Sequence, residues 1–285
     1  MEMIRLDSVD KKIGTFALHH MSFELPKGYI LGIVGRNGAG KTTLLHLLLG
    51  LYRQDAGDIT VFGKSYKEAE KEIKNSIGYV LVEEMFCMDI NLEQNGELFG
   101  KFYEAYDRKV LQEYCERFKL DMKKKLRHLS KGEQLKFQFA FALSHKPELL
   151  ILDEPTANFD PEFRDEFFSI LTEFVQDGEH SVILATHLTQ DLDKIADYVL
   201  MMDKGRAVFY MDKEQLNETY RLVGGEDYKL NLLAKDKVVY KEKGEFGSKA
   251  LVRHSKYREY DASLTIHRPS MEEIMYYIIK GGGHA

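Results

Sequence analysis

The chain has 285 residues, 44% of them hydrophobic, and a formal net charge of −6. That length suits one large or two modest domains with a sizeable core, and an acidic balance spread along the chain excludes a mainly electrostatic nucleic-acid interface. No apolar run approaches the roughly 18–20 residues that span a bilayer. The N-terminus lacks the apolar centre of a signal peptide, and Cys87 and Cys115, with no CxxC, imply neither a disulfide framework nor a zinc site. The expectation is a chain soluble by itself, in a reducing cytoplasm, with no nucleic-acid partner.

The predicted elements begin with MEMIRLDSVDKKIG, which alternates like a strand. ILGIV (Ile30 to Val34) reads as a short buried strand and LLHLLLG (Leu44 to Gly50) as a buried helix. Between them lies GRNGAGKTT, with the spacing G-x-x-x-x-G-K-T at Gly35, Gly40, Lys41 and Thr42. Glycines at a strand-to-helix junction let backbone N–H groups converge on phosphate oxygens. Lys41 can then reach the β- and γ-phosphates, and the Thr42 hydroxyl can meet Mg²⁺.

The stretch from Glu83 to about Lys125 is rich in helix formers, with aromatics at roughly helical spacing: Phe99, Phe102, Tyr103 and Tyr106. Lys123, Lys124, Lys125 and Arg127 form its one dense basic run, read as a solvated helix end. In HLSKGEQLKF, Ser130 and Gly132 stand at a helix start whose free N–H groups offer a second anion site. Ser130 and Glu133 also match a capping box.

LLILDEP (Leu149 to Pro155) is a buried strand delivering two carboxylates at its C-terminal end, where open α/β sheets bind ligands. Asp153 is placed to hold Mg²⁺ and Glu154 to polarise an attacking water as general base. VILATH (Val182 to His187) is a further buried strand, ending where His187 can contact a γ-phosphate.

These motifs, in this order, resemble an ATP-binding cassette (ABC) ATPase subunit over roughly residues 1–215. The resemblance implies an α/β fold: a P-loop NTPase of ABC type with a mixed β core, a helical subdomain and a small α+β C-terminal extension. The cassette is expected at 1–215, its helical subdomain at about 84–145 and the extension at 216–285. Gly35, Arg36, Asn37, Gly38, Ala39, Gly40, Lys41, Thr42 and Thr43 resemble the Walker A loop. Ser130 and Gly132 resemble the signature loop, which contacts the γ-phosphate held by the other subunit. Asp153 and Glu154 resemble the Walker B aspartate and the catalytic glutamate, Asp160 in TANFD the D-loop aspartate at the dimer contact, and His187 the switch histidine.

The resemblance further implies an ATPase using ATP and Mg²⁺, paired with a second ATPase subunit in a homo- or heterodimer. A separate transmembrane permease would hold it on the inner face of a bacterial cell membrane. The segment after the switch loop, with Met85, Phe86 and Met88, is expected to meet that permease.

Some positions depart from the family pattern. The signature reads LSKGE, with Lys131 for a glycine and Glu133 for a glutamine, and the retained Ser130 and Gly132 carry the backbone contacts. The switch-loop glutamine falls at Val82, with Glu83 one residue on. The adenine-stacking aromatic falls near Ile13, with Phe16 as the alternative.

The tail reads as a helix-like stretch (KEQLNETYRLV), then strands YKLNLLA, DKVVY, ALVRHS and SLTIH, then a helix opened by the Ser270–Glu273 capping box and stopped at Gly281. It resembles the extension on bacterial subunits that serve exporters of drugs, peptides or antimicrobial compounds. It is expected either to cover an apolar patch of the cassette or to regulate dimerisation. In the regulatory case, deletion after Asn217 would weaken ATP-dependent dimerisation and spare nucleotide affinity.

The alternative is a soluble, non-transport ABC ATPase, a regulatory or assembly scaffold. Coiled-coil insertions and a second cassette are absent, which removes repair and translation types but leaves the scaffold. A catalytically dead sensor is disfavoured by the presence of Lys41, Asp153, Glu154 and His187.

Overall fold

A computed structural model describes residues 2–81, 85–244, 247–253 and 261–282. The first part of the chain runs β1 (Glu2–Ile13), β2 (Phe16–Pro26), β3 (Ile30–Val34), α1 (Lys41–Leu48), β4 (Ala56–Val61), α2 (Tyr66–Asn75) and β5 (Ile77–Val80). Then come α3 (Leu92–Gly100), α4 (Arg108–Arg117), α5 (Lys131–Ser144), β6 (Leu149–Asp153), α6 (Pro161–Phe174), β7 (Ser181–Thr186), α7 (Thr189–Ile195), β8 (Tyr198–Asp203) and β9 (Arg206–Asp212). The remainder is α8 (Lys213–Thr219), β10 (Tyr220–Gly225), α9 (Asp227–Leu230), β11 (Val238–Gly244), β12 (Gly247–Arg253), β13 (Thr265–His267) and α10 (Met271–Lys280).

The central sheet has the order β5-β6-β7-β3-β8-β9, with every neighbouring pair parallel except β8 and β9. Its strands β3, β6 and β7 are buried at every residue. Unbroken apolar runs are what a parallel sheet covered on both faces requires. A second sheet, β2-β1-β4, is antiparallel and alternates buried with exposed residues along β2. The fold is therefore α/β with a mixed β core, and α3, α4 and α5 gather in one segment between β5 and β6.

The strand order places the site. Because β3 lies beside β7, and β7 beside β6, the carboxyl ends of all three strands are neighbours. Asp153, 111 residues beyond Thr42, thus arrives beside the glycine loop.

A third sheet, β11-β12-β10-β13, is antiparallel. Residues of β10 alternate between two cores. Tyr220 and Leu222 join the main cluster with Leu251, Met271, Ile274, Tyr277 and Ile278, alongside Leu192, Ala196 and Phe209 of the central layers. Val223 instead joins a small cluster with Leu230, Leu233, Ala250 and Val252. Helix α10 packs on α7 as well as on β11 and β12.

Several sequence expectations need correction. YRLV, read as the end of a helix, is strand β10, because its apolar side chains serve two opposite cores with period 2. YKLNLLA, read as a strand, holds the end of α9 and a turn: Leu230 and Leu233 are buried three apart, while Leu232 is exposed. The basic run at Lys123 to Arg127 lies in a turn leading into a 3-10 helix at Leu126–His128, not at a helix end. Phe86 does not face outward. It is 8% exposed and meets Phe99, Phe137 and Phe141 edge-on, while Met85 and Met88 are packed against the same core. Val82 and Glu83 lie outside the described residues.

Candidate functional site

The glycine loop joins β3 to α1 and lines an open cavity of about 420 Å³ with Phe16, Asp153 and Glu154. Arg36, Asn37, Gly38, Ala39, Gly40, Lys41, Thr42 and Thr43 all contribute to its wall. Gly40 caps α1 with φ 107°, a conformation that favours glycine, and a Cβ there would lie 2.7 Å from Phe16. The first turn of α1 carries no acidic residue, so its free N–H groups present an uncompensated positive end. Gly35 directly follows β3, and its carbonyl accepts from Lys41 Nζ at 2.8 Å.

Lys41, Glu154 and His187 meet beside that loop. Lys41, only 7% exposed, has Nζ 3.4 Å from Glu154 Oε1. Glu154 Oε2 is 2.7 Å from His187 Nδ1 and also accepts from the His187 N–H at 3.2 Å. Glu154 itself is left-handed, φ 46° and ψ 41°. Such a backbone costs about 1–3 kcal/mol for an L residue and persists only where neighbours hold it. Here its N–H donates to Ala185 O at 2.8 Å, tying it to β7.

The Thr42 hydroxyl donates to Asp153 Oδ2 at 2.7 Å. Asp153 Oδ1 is buried and has no hydrogen-bond partner among the described residues. Burial pushes the Asp153 carboxyl up, and the Thr42 bond opposes that rise. An orphaned buried oxygen beside a hydroxyl is an incomplete polar set, and its all-oxygen chemistry suits a hard divalent cation.

Ser130, Gly132 and Asp160 are absent from this cavity's wall and lie at the starts of α5 and α6, where Gly132 presses on the turn that precedes Asp160. Ser130 caps α5: its Oγ accepts from the Glu133 N–H at 3.2 Å and its N–H donates to Glu133 Oε2 at 2.7 Å. Glu133, in place of a glutamine, therefore completes the capping box, and the Ser130 N–H holds its carboxyl below the usual range. A Cβ on Gly132 would fall 2.4 Å from Asn158 O, so the loop is pressed against the turn after β6. Asp160 caps α6 through the Phe163 N–H and accepts from Lys136 Nζ at 3.0 Å.

Of the two positions weighed for base contact, Phe16 lines the cavity, while Ile13 ends β1 outside it. Sequence reasoning missed Thr156, Arg164 and Asp191, which meet at a buried carboxylate behind Glu154. The only local hint was an acid four residues after His187 in a helical run.

The chain is similar to known proteins in sequence and in fold. The family model described as ABC transporter matches residues 18–157. The Nod factor export ATP-binding protein I of Rhizobium sp. (strain N33) is 31% identical over 209 residues, 71% of this chain and 68% of that protein. The bacitracin transport ATP-binding protein BcrA of Bacillus licheniformis is 28% identical over 207 residues, 72% of this chain and 68% of that protein. Among solved structures, an ATP-binding subunit of an ABC transporter superposes with a TM-score of 0.70 at 20% identity, covering 75% of this chain and 92% of the other, a likeness of fold.

Proposed function

We propose the working arrangement from one premise: the chain belongs to the ABC transporter family, as the subunit that binds and hydrolyses ATP. Two such subunits would close face to face over two nucleotides, with Ser130 and Gly132 of one completing the phosphate site of the other. The observation that carries this reading is the division of the site residues into two clusters. One holds the phosphate loop, Asp153, Glu154 and His187; the other holds Ser130, Gly132 and Asp160. Light scattering of the Glu154→Gln variant with and without Mg-ATP tests it: a monomer-to-dimer shift is expected, and an unchanged mass with nucleotide bound would overturn the homodimer.

Within one site, the N–H groups of the loop from Gly35 to Thr43 cradle phosphate oxygens. Lys41 exchanges its Glu154 partner for the β- and γ-phosphates, a charge-assisted contact. Freed from Lys41, Glu154 accepts a proton from the attacking water. His187 keeps hold of Glu154 Oε2 through Nδ1, which orients the carboxylate. Thr42 and Asp153, whose Oδ1 is orphaned, would hold Mg²⁺, and its charge would offset that developing on the phosphates.

Replacing Lys41 with alanine is expected to weaken ATP binding about tenfold or more, measured by titration with a fluorescent ATP analogue. Intact affinity would remove the phosphate-cradle role. Phe16 is proposed as the platform for the base, since it borders the loop at Gly40. Phe16→Ala should weaken ATP binding by about tenfold, the scale of one lost base–aromatic stack, with little change in binding of inorganic triphosphate. Equal loss for both ligands would refute base stacking.

The relatives' names support an exporter of drug, peptide or antimicrobial-type substrates, driven through a separate membrane permease. No helix among the described residues is long and apolar enough to cross a membrane. The subunit would then sit on the cytoplasmic face, held by that permease. Co-purification from detergent with a membrane protein tests this placement.

The proposed boundary of the cassette near residue 215 falls inside α8, just before the third sheet begins.

A further inference from the structure

We propose that Asp191 is a positioning residue for hydrolysis: it ties the helix after His187 to the turn that carries Glu154. The proposal rests on the assignment of Glu154 as base and His187 as its partner.

Asp191 lies on α7, four residues after His187, and is fully buried. Its Oδ2 accepts from Thr156 Oγ1 at 2.6 Å. Its Oδ1 accepts from Arg164 Nε at 2.9 Å and from Arg164 Nη2. Thr156 is two residues after Glu154, in the 3-10 turn Pro155–Asn158. Arg164 belongs to α6, the helix capped by Asp160. One carboxylate therefore joins three segments, each of which carries or adjoins a residue assigned to the nucleotide site.

The junction can hold geometry because it is buried and satisfied. A buried carboxylate with charged and neutral donors loses much when one is removed, so its partners stay where they are. The base of α7 is also fixed. A Cβ on Gly32 of β3 would fall 2.7 Å from Leu192, the neighbour of Asp191, so helix and sheet are in direct contact. Glu154 needs such support, since its left-handed backbone returns to a common conformation unless the chain on both sides is held. Ala185 O holds it on one side. The Thr156–Asp191 bond holds it on the other and simultaneously fixes the helix that comes after the imidazole.

Thr156→Val in the 285-residue chain removes the hydroxyl with little change of shape. A displaced carboxylate rather than an absent one predicts a fall in kcat of about tenfold. Affinity for a fluorescent ATP analogue should change by less than about twofold, because the phosphate loop is untouched. Thr156→Ser, which restores the donor, should return kcat close to that of the parent. In a Glu154→Gln background, Thr156→Val should cost nothing further, since groups acting as one unit are non-additive.

Parental kcat in Thr156→Val overturns the proposal alone. So does a loss that Ser fails to rescue, a parallel loss of ATP affinity, or a full additional loss in the Glu154→Gln background. Undiminished turnover of Glu154→Gln by itself strikes first at the base assignment, and that result is read from a different variant.

Discussion

Replacing Glu154 with glutamine slows ATP turnover by about 10²–10⁴-fold, while ATP still binds. The glutamine amide keeps the volume and one hydrogen-bond acceptor but is no proton acceptor. Both neighbours respond predictably. His187 Nδ1 and the His187 N–H, at 2.7 and 3.2 Å from Oε2, can still meet the amide oxygen. Lys41, 3.4 Å from the other oxygen, loses an ionic partner and becomes freer for phosphate. Nucleotide affinity should therefore hold or rise as turnover collapses. Phosphate release measured beside nucleotide titration checks this, and near-parental release would end the assignment.

The second large effect concerns the C-terminal part. Ending the chain after Thr219 should destabilise the whole protein rather than trim a regulatory appendage. Tyr220, Leu222, Leu251, Met271, Ile274, Tyr277 and Ile278 share one apolar cluster with Leu192, Ala196, Phe209 and Leu216. Stripping cover from even three such side chains costs about 5 kcal/mol or more, within a typical total of about 5–15 kcal/mol. The truncated chain is expected to melt far below the parent, or not to fold, by circular dichroism. The milder Ile274→Ala, at about 2–5 kcal/mol, should lower Tm and leave ATP affinity unchanged. A truncated chain with parental Tm would show the last sheet to be an independent unit. Of the two roles drawn on sequence alone, this expectation follows the cover over an apolar patch and differs from the regulatory one, in which deletion after Asn217 would weaken ATP-dependent dimerisation and spare nucleotide affinity.

That difference shows where sequence is legible and where it is not. ILGIV and the apolar runs of LLILDEP and VILATH were readable because a strand buried on both faces is apolar along most of its length, whatever surrounds it. The glycine loop was readable because its chemistry needs particular residues at fixed spacing within one short stretch. The short elements after α8 were not. YRLV and DYKL are brief stretches in which period 2 and period 3 cannot be distinguished until the two cores they serve are known. Phe86 looked as suited to a partner as to an interior, and three rings from α3 and α5 decide the matter. Asp191 was invisible because Thr156 and Arg164 stand 35 and 27 residues away. Only the adjacency of β6 and β7 brings them together.

The contact between Lys41 and Glu154 also bears on what the resting subunit ignores. A bare ammonium at the end of a glycine loop would draw any passing anion, and a bare carboxylate would repel the nucleotide. Paired, the two leave the resting cavity with little net charge of their own. An incoming anion must displace a carboxylate already in place. Orthophosphate, with a single phosphoryl group, brings little to that contest; a polyphosphate engages the loop amides and the lysine together. With the phosphate site proposed above, the resting subunit would have a threshold of valence, and abundant inorganic phosphate should leave it idle.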